Sequence, residues 1–252
     1  MSFRHSIFFI CSCFFIADWV VAEEVLLAVA SNFSTTMKKL ETAYEKKHEH
    51  YLTITYASSG KHYAQIINGA PFQVFLSADQ ETPMRLVEDE LAVKNSQFSY
   101  AFGRLVLWTN IESLRGQEKV LLEDRNYRNL SIANPKLAPY GKAAVDVLNN
   151  LNIKQDESSR WVYGENIGQS FQFVATKNAE LGFVGLSQVL ALSPKDSFWY
   201  IPEALYDPIQ QDAVLLKRGK DSLGARDFLE FMHTDIAQNI ICQSGYRIPK
   251  KC

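Results

Sequence analysis

Tyr56-Ala-Ser-Ser-Gly-Lys61 is the point where a strand-like run turns into a helix-like one. The preceding Tyr51-Leu-Thr-Ile-Thr-Tyr56 is rich in β-branched and aromatic residues and stops at two serines and a glycine. Beyond it, Tyr63, Ile66 and Ile67 recur at helical spacing until Asn68-Gly69 closes the segment. A strand feeding a helix through Ser-Ser-Gly leaves hydroxyls and unpaired backbone N–H groups at the helix N-terminus. That makes an anion receptacle without a formal charge. Ser and Gly are also ordinary helix caps, so a single junction decides little. The weight comes from its repetition.

Working outward, Glu24-Val-Leu-Leu-Ala-Val-Ala30 is a continuous apolar run, the mark of a strand covered on both faces. It ends at Ser31-Asn32, and a helix follows with Phe33, Met37, Leu40 and Tyr44 on its apolar side. A third junction is Leu130-Ser-Ile-Ala-Asn134, then Pro135 to Lys142, which puts Tyr140 at the start of a helix carrying Ala143, Ala144, Val147 and Leu148. The fourth is Arg160-Trp-Val-Tyr163 followed by Gly164-Glu-Asn-Ile-Gly168 and a helix through Phe171 and Val174. Further strands are expected at 72–77, 104–108, 181–186, 198–201 and 210–216, and two closing helices near 225–232 and 236–243. Residues 110–129 read as a polar loop with one short apolar piece. Alternating strands and helices predict an α/β chain with mostly parallel sheets. Asp79, at the start of a helix after the 72–77 strand, reads as a cap complementing the dipole.

The first residues run from Arg4 through a 13-residue apolar stretch to Val20-Val-Ala22 and Glu23-Glu24. This predicts a secretory signal peptide over 1–22, shorter than the ~20 apolar residues of a spanning helix. The formal net charge is −2, and removing a segment with one Arg and one Asp leaves it unchanged. No basic excess invites nucleic acid. A hydrophobic content of 47% supplies a core for one large domain or two small ones. Cys242 and Cys252, close together in an exported chain, are expected to form a structural disulfide.

Equally informative is what the sequence lacks. It carries no His-Glu-x-x-His, Cys-x-x-Cys, calcium loop, phosphate loop, dinucleotide glycine fingerprint or Gly-x-Ser-x-Gly elbow. His48 and His50 flank Glu49 on a charged helix end and read as a solvated face. No metal cation, cofactor or enzymatic activity is expected. Four strand-to-helix junctions furnished with Ser, Asn, Tyr and Gly can surround a small oxyanion if they converge. Each hydrogen bond to the charge then contributes roughly 1.5–3 kcal/mol and each helix terminus roughly 0.3–1 kcal/mol. The N–H donors among them favour a fully deprotonated anion, having nothing with which to accept a ligand proton.

Ala28-Val-Ala-Ser-Asn32, Tyr56-Ala-Ser-Ser-Gly60, Leu76-Ser-Ala-Asp-Gln80, Ala138-Pro-Tyr-Gly141, Gly164-Glu-Asn-Ile167 and Glu180-Leu-Gly-Phe-Val184 occur in an order that resembles the periplasmic molybdate-binding proteins of ABC importers. The resemblance implies a two-lobed type II periplasmic-binding fold that closes on molybdate or tungstate, a monomer in the periplasm with a membrane permease as partner. Carried over by motif, the ligand positions are Ser31, Asn32, Ser59, Tyr140 and Ile167, the last through its backbone N–H. One branch of that family uses a Tyr where this chain has Gly185; Tyr140 stands where that branch has a small residue, and is expected to supply the hydroxyl instead. Lys61 and Lys142 read as outward-facing helix residues that attract anions at long range. The first lobe is expected to hold 23–103 plus 214–252 and the second 104–213, with hinges near Gly103 and Ala213. Two other readings remain open: a receptor for sulfate, phosphate or a small organic acid, with Asp79 as the proton acceptor phosphate needs, and a secreted hydrolase using Ser59.

Overall fold

In the computed structural model the described residues are 22–155, 160–192 and 198–249. They build two five-stranded sheets, ordered β2-β1-β3-β10-β4 and β7-β6-β8-β5-β9, each flanked by helices. The first contains β1 (Glu24–Ala30), β2 (Tyr51–Ala57), β3 (Val74–Leu76), β4 (Phe98–Gly103) and β10 (Ile209–Leu215). The second contains β5 (Leu105–Trp108), β6 (Leu130–Ala133), β7 (Trp161–Gly164), β8 (Leu181–Gly185) and β9 (Phe198–Tyr200). In each sheet four strands run one way and a single strand is reversed, β10 in the first and β5 in the second. The two sheets therefore share one topology, although the sequence shows no internal repeat.

The continuous apolar run of β1 is explained by its two covered faces. Val25, Leu27 and Val29 cluster with Met37 and Leu40 of α1 (Ser34–Glu45) and with Phe228 and Ile241 of α8 (Leu223–Met232) and α9 (Asp235–Gln243). Leu26 and Ala28 face the other way, toward Ile66 of α2 (Ser59–Ile67) and Leu86 of α3 (Glu81–Glu88). The second sheet repeats the plan. Leu107, Ile132 and Phe183 pack with Ala144 and Val147 of α5 (Pro139–Asn150), while Val106 and Val184 pack with Val174 of α6 (Ile167–Ala175). Alternate residues along one strand thus serve two helical layers.

The chain passes between sheets twice. Arg104 alone separates β4 from β5. The return falls before Ile209, because β10 is one strand pairing Ile209 with Gly103 and Ala213 with Leu76. The expected second crossing near Ala213 lies inside this strand, so residues 209–213 belong with the first sheet. Strand β4 was not foreseen, and the 110–129 stretch holds a 3₁₀ turn (Glu112–Leu114) and α4 (Glu118–Glu123), where only a loop was expected. Leu121 and Leu122 are buried, yet six residues are too few to display a helical period. His50 is buried rather than solvated: its Nδ1 accepts the Glu23 N–H and its Nε2 lies 3.5 Å from Asp227. Apart from Ala22, the expected signal segment lies outside the described residues, as does Cys252 of the expected Cys242–Cys252 bridge. No helix among the described residues is long and apolar enough to cross a membrane.

Candidate functional site

The four junctions converge between the lobes. Ser31, Asn32, Ser59, Tyr140 and Ile167 all line one small cavity, together with Ser58. The remaining lining is Ala30, Ala57, Ala78, Ala138 and Pro139, so no charged side chain faces the space.

Each element delivers its residue for a local reason. β1 runs straight into a 3₁₀ turn (Ser31–Phe33) before α1, and the N–H groups of such a first turn have no partner within the helix. Ser59 opens α2 and is 1% exposed; its Oγ accepts the Ala78 N–H at 2.9 Å, which fixes the oxygen and leaves the hydroxyl proton free to donate. Ser58 is the N-cap of α2, but its hydroxyl makes no capping bond and has no partner among the described residues. Ser58 is not among the ligand positions that the motif implies. Its buried, unmatched hydroxyl beside Ser59 is the signal that only the structure carries.

At α6 the accounting of first-turn donors isolates one group. Asn166 caps the helix by accepting the Gln169 N–H at 3.1 Å, and its carbonyl takes the Ser170 N–H. The Gly168 N–H reaches Ser31 Oγ of the other lobe at 3.3 Å. Ile167 N–H is left, while the Ile167 side chain is buried in the apolar cluster beneath. At α5, Pro139 occupies the first turn, where its missing N–H is harmless, and sets Tyr140 immediately after it.

Tyr140 is buried with its hydroxyl pointing under the cavity. It accepts from Gln211 Nε2 at 3.3 Å and lies 3.5 Å from Asn32 Nδ2. Burial first, and then the neighbouring Tyr246, push the Tyr140 phenol well above its usual range, so it stays a donor at any physiological pH. A side chain at Gly185 would touch Tyr140 Cε1 at 3.4 Å; the Tyr140 ring thus borders the space that a residue at 185 would enter. Asn32 directs its amide nitrogen to Gln211 Oε1 at 2.9 Å and to the Tyr246 hydroxyl at 3.1 Å. Its Oδ1 is buried with no partner among the described residues.

The two lobes meet closely at the rim. Gly60 N–H donates to Leu137 O at 3.0 Å, and a Cβ at Gly60 would stand 3.1 Å from that oxygen, so glycine permits the approach. Lys61 forms an ion pair with Glu165 across the gap, with both side chains nearly half exposed. Lys142 is exposed. Asp79 uses both carboxylate oxygens internally: Oδ1 takes the Thr82 N–H at 2.8 Å and the Ser77 hydroxyl at 3.2 Å, and Oδ2 takes the Thr82 hydroxyl at 3.0 Å. It does not line the cavity. His62 sits on α2 three residues beyond Ser59, but its ring nitrogens meet Val29 O and Gln65 Oε1, each at 3.1 Å. Among the described residues no cluster of three or more His, Cys, Asp or Glu could hold a metal ion.

Two α/β lobes of like topology, joined by two crossings and facing each other through helix N-termini around an uncharged cavity, define a receptor for a small solute. The chain belongs to the bacterial extracellular solute-binding protein family, whose pattern matches residues 25–247. It is 44% identical over 231 residues to a molybdate-binding protein of Azotobacter vinelandii, covering 89% of this chain and 90% of that one. It is 42% identical over 225 residues to a molybdate-binding protein of Rhodobacter capsulatus, covering 89% and 88%. Its fold superposes on the solved Azotobacter vinelandii periplasmic molybdate-binding protein with a TM-score of 0.84 at 36% identity, covering 90% of this chain and 100% of that one.

Proposed function

We propose that this protein is a periplasmic receptor that captures molybdate, and also tungstate, between its lobes and delivers it to an ABC permease. The observation that carries the reading is the uncharged cavity lined by Ser31, Asn32, Ser59, Tyr140 and Ile167. Its polar groups are hydroxyls, first-turn N–H donors and the Asn32 amide, whose Oδ1 has no partner among the described residues. Five hydrogen bonds to a dianion at roughly 1.5–3 kcal/mol each total about 7.5–15 kcal/mol before the cost of association is subtracted. The similarity to molybdate-binding relatives supports the choice of oxyanion.

Phosphate carries a proton that needs an acceptor, and Asp79, the sequence's candidate, has both oxygens engaged away from the cavity. A hydrolase is opposed by Ser59 and His62, which are bonded to other partners and not to each other. In this reading Ala22 ends a cleaved signal peptide, the mature chain acts as a monomer without a resident cofactor, and the two inter-sheet crossings are the hinge. Titration calorimetry of the chain from Glu23 onward tests it. Tight one-to-one binding of molybdate and tungstate, with sulfate and phosphate far weaker, is the expected result. Preference for sulfate or phosphate would overturn the assignment, and silence with all four would leave the fold without the function.

A further inference from the structure

Beneath the cavity lies a fully buried amide that the function above does not use. Gln211 sits at the bulge of β10, the strand that re-enters the first sheet, and is 0% exposed. Its Oε1 accepts from Asn32 Nδ2 at 2.9 Å and faces the Tyr100 hydroxyl at 3.0 Å. Its Nε2 donates to the Tyr140 hydroxyl at 3.3 Å. Gly103, the last residue of β4, makes this meeting possible: a Cβ there would lie 2.1 Å from the Tyr140 hydroxyl and 2.6 Å from Gln211 Nε2. One amide therefore joins Asn32 of the first lobe to Tyr140 of the second, on the strand through which the lobes are linked.

We infer that Gln211 is a positioning residue for the bound oxyanion, holding Asn32 and Tyr140 in one donor order across the hinge. An amide has a donor end and an acceptor end in fixed opposition. With Nε2 aimed at the Tyr140 oxygen, that hydroxyl's lone pair is occupied and its own proton remains to be given, either to the adjoining Tyr246 hydroxyl or to an anion oxygen. With Oε1 aimed at Asn32, the asparagine side chain is drawn down into the network, where Tyr246 also receives it. The Tyr246 hydroxyl in turn donates to Asn32 O at 2.9 Å, and Ser187 of the second lobe reaches the same carbonyl at 3.3 Å. The main chain of Asn32, a residue that lines the cavity, is thus pinned by groups of both lobes. An apolar residue at 211 would leave the Asn32 amide and two phenols short of a partner in a buried place.

The inference rests on the oxyanion reading and is tested with two variants of the full mature chain, using molybdate as the probe. Gln211→Glu keeps the shape. Protonated, its carboxyl offers the same one donor and one acceptor; ionised, it has no donor and sets a negative charge under the anion. Burial raises a carboxyl's pKa, so this exchange falls at accessible pH. The titratable groups facing position 211 are Tyr100, Tyr140 and Tyr246, all held protonated by burial, and the adjacent Asp212 is turned to Ser99 and Gln97. We expect wild-type affinity to be flat from pH 6 to 9, and Gln211→Glu to weaken by about tenfold or more across the same range. Gln211→Met should weaken binding by about tenfold at every pH, and by clearly less in a Tyr140→Phe background, where only its hold on Asn32 remains to be lost. Gln211→Glu binding as flatly as wild type, or Gln211→Met adding its full loss to Tyr140→Phe, overturns the inference. If Gln211→Met does not fold, the pH profile of Gln211→Glu against wild type decides alone. Wild type that binds no molybdate refutes the oxyanion reading itself, a separate and recognisable failure.

Discussion

Gly103→Ala adds a single methyl group at the place where the lobes join, and its effect can be worked from distances. The new Cβ would lie 2.1 Å from the Tyr140 hydroxyl oxygen, 2.8 Å from Tyr140 Cζ and 2.6 Å from Gln211 Nε2. Ordinary contacts there begin near 3.4 Å. Tyr140 is 1% exposed and Gln211 0%, so neither side chain can swing into solvent to make room. Overpacking of this kind costs about 1–3 kcal/mol, and the broken Gln211–Tyr140 hydrogen bond about 0.5–1.5 kcal/mol more. For a chain of this size the sum lowers Tm by roughly 5–15 °C. In the proposed oxyanion reading, displacing the hydroxyl also removes one hydrogen bond to the anion, about 1.5–3 kcal/mol, which is expected to weaken molybdate binding about 10- to 150-fold. Differential scanning and titration calorimetry on the same preparation read both numbers. A Gly103→Ala protein that melts like wild type and binds molybdate within about twofold of it would refute the reasoning about this junction.

Three further outcomes follow from the geometry. Ser31→Ala and Ser59→Ala each remove one hydroxyl from the cavity and are expected to weaken molybdate binding about 10- to 150-fold by calorimetry, with secondary structure unchanged; undiminished affinity in both would remove the serines from the site. Lys61→Ala breaks an ion pair whose partners are 45% and 47% exposed, so affinity should change less than about fivefold, and the difference should fade in 0.5 M salt. A loss far above that would mean that Lys61 touches the anion directly. His62 is held neutral, burial lowering its pKa below the ordinary value, so acid favours the unfolded chain, which binds the proton more readily. Its stabilisation is complete above the unfolded pKa, about 6.5, and is lost as pH falls below it, with a limiting slope of about 1.4 kcal/mol per pH unit. Unfolding midpoints between pH 7 and 5 should therefore fall less steeply in His62→Gln than in wild type, and parallel curves would exclude His62 as the cause.

Much of the architecture was legible because local signals agreed. Six residues of unbroken apolarity in β1, Val25 to Ala30, announce a strand covered twice, and Ser-Ser-Gly after Ala57 announces a helix N-terminus open to an anion. Those signals are short-range, and the junctions they mark are the ones that meet in the cavity. What stayed hidden depends on contacts distant in sequence. Asn32 and Gln211 are 179 residues apart, and nothing near either residue signals that their amides join. Ser58 reads as a cap until its hydroxyl is found without a partner. The strand itself is legible after Asp207-Pro208, but that it joins the first sheet from Ile209 onward depends on pairing with Gly103, far away in sequence. His50, flanked by charged and polar neighbours, is buried only because Gly224 of α8 leaves space over its ring, 2.9 Å from where a Cβ would stand. α4 is shorter than two turns and carries no readable period.

The central claim is that an oxyanion sits between the lobes among uncharged donors. Crystals of the mature protein grown with molybdate, with diffraction recorded on either side of the molybdenum absorption edge, test it most directly. One anomalous peak per molecule is expected, within hydrogen-bonding reach of Ser31, Ser59 and the Ile167 N–H. A peak elsewhere, or at a lysine-rich surface with the cavity holding only water, would contradict it.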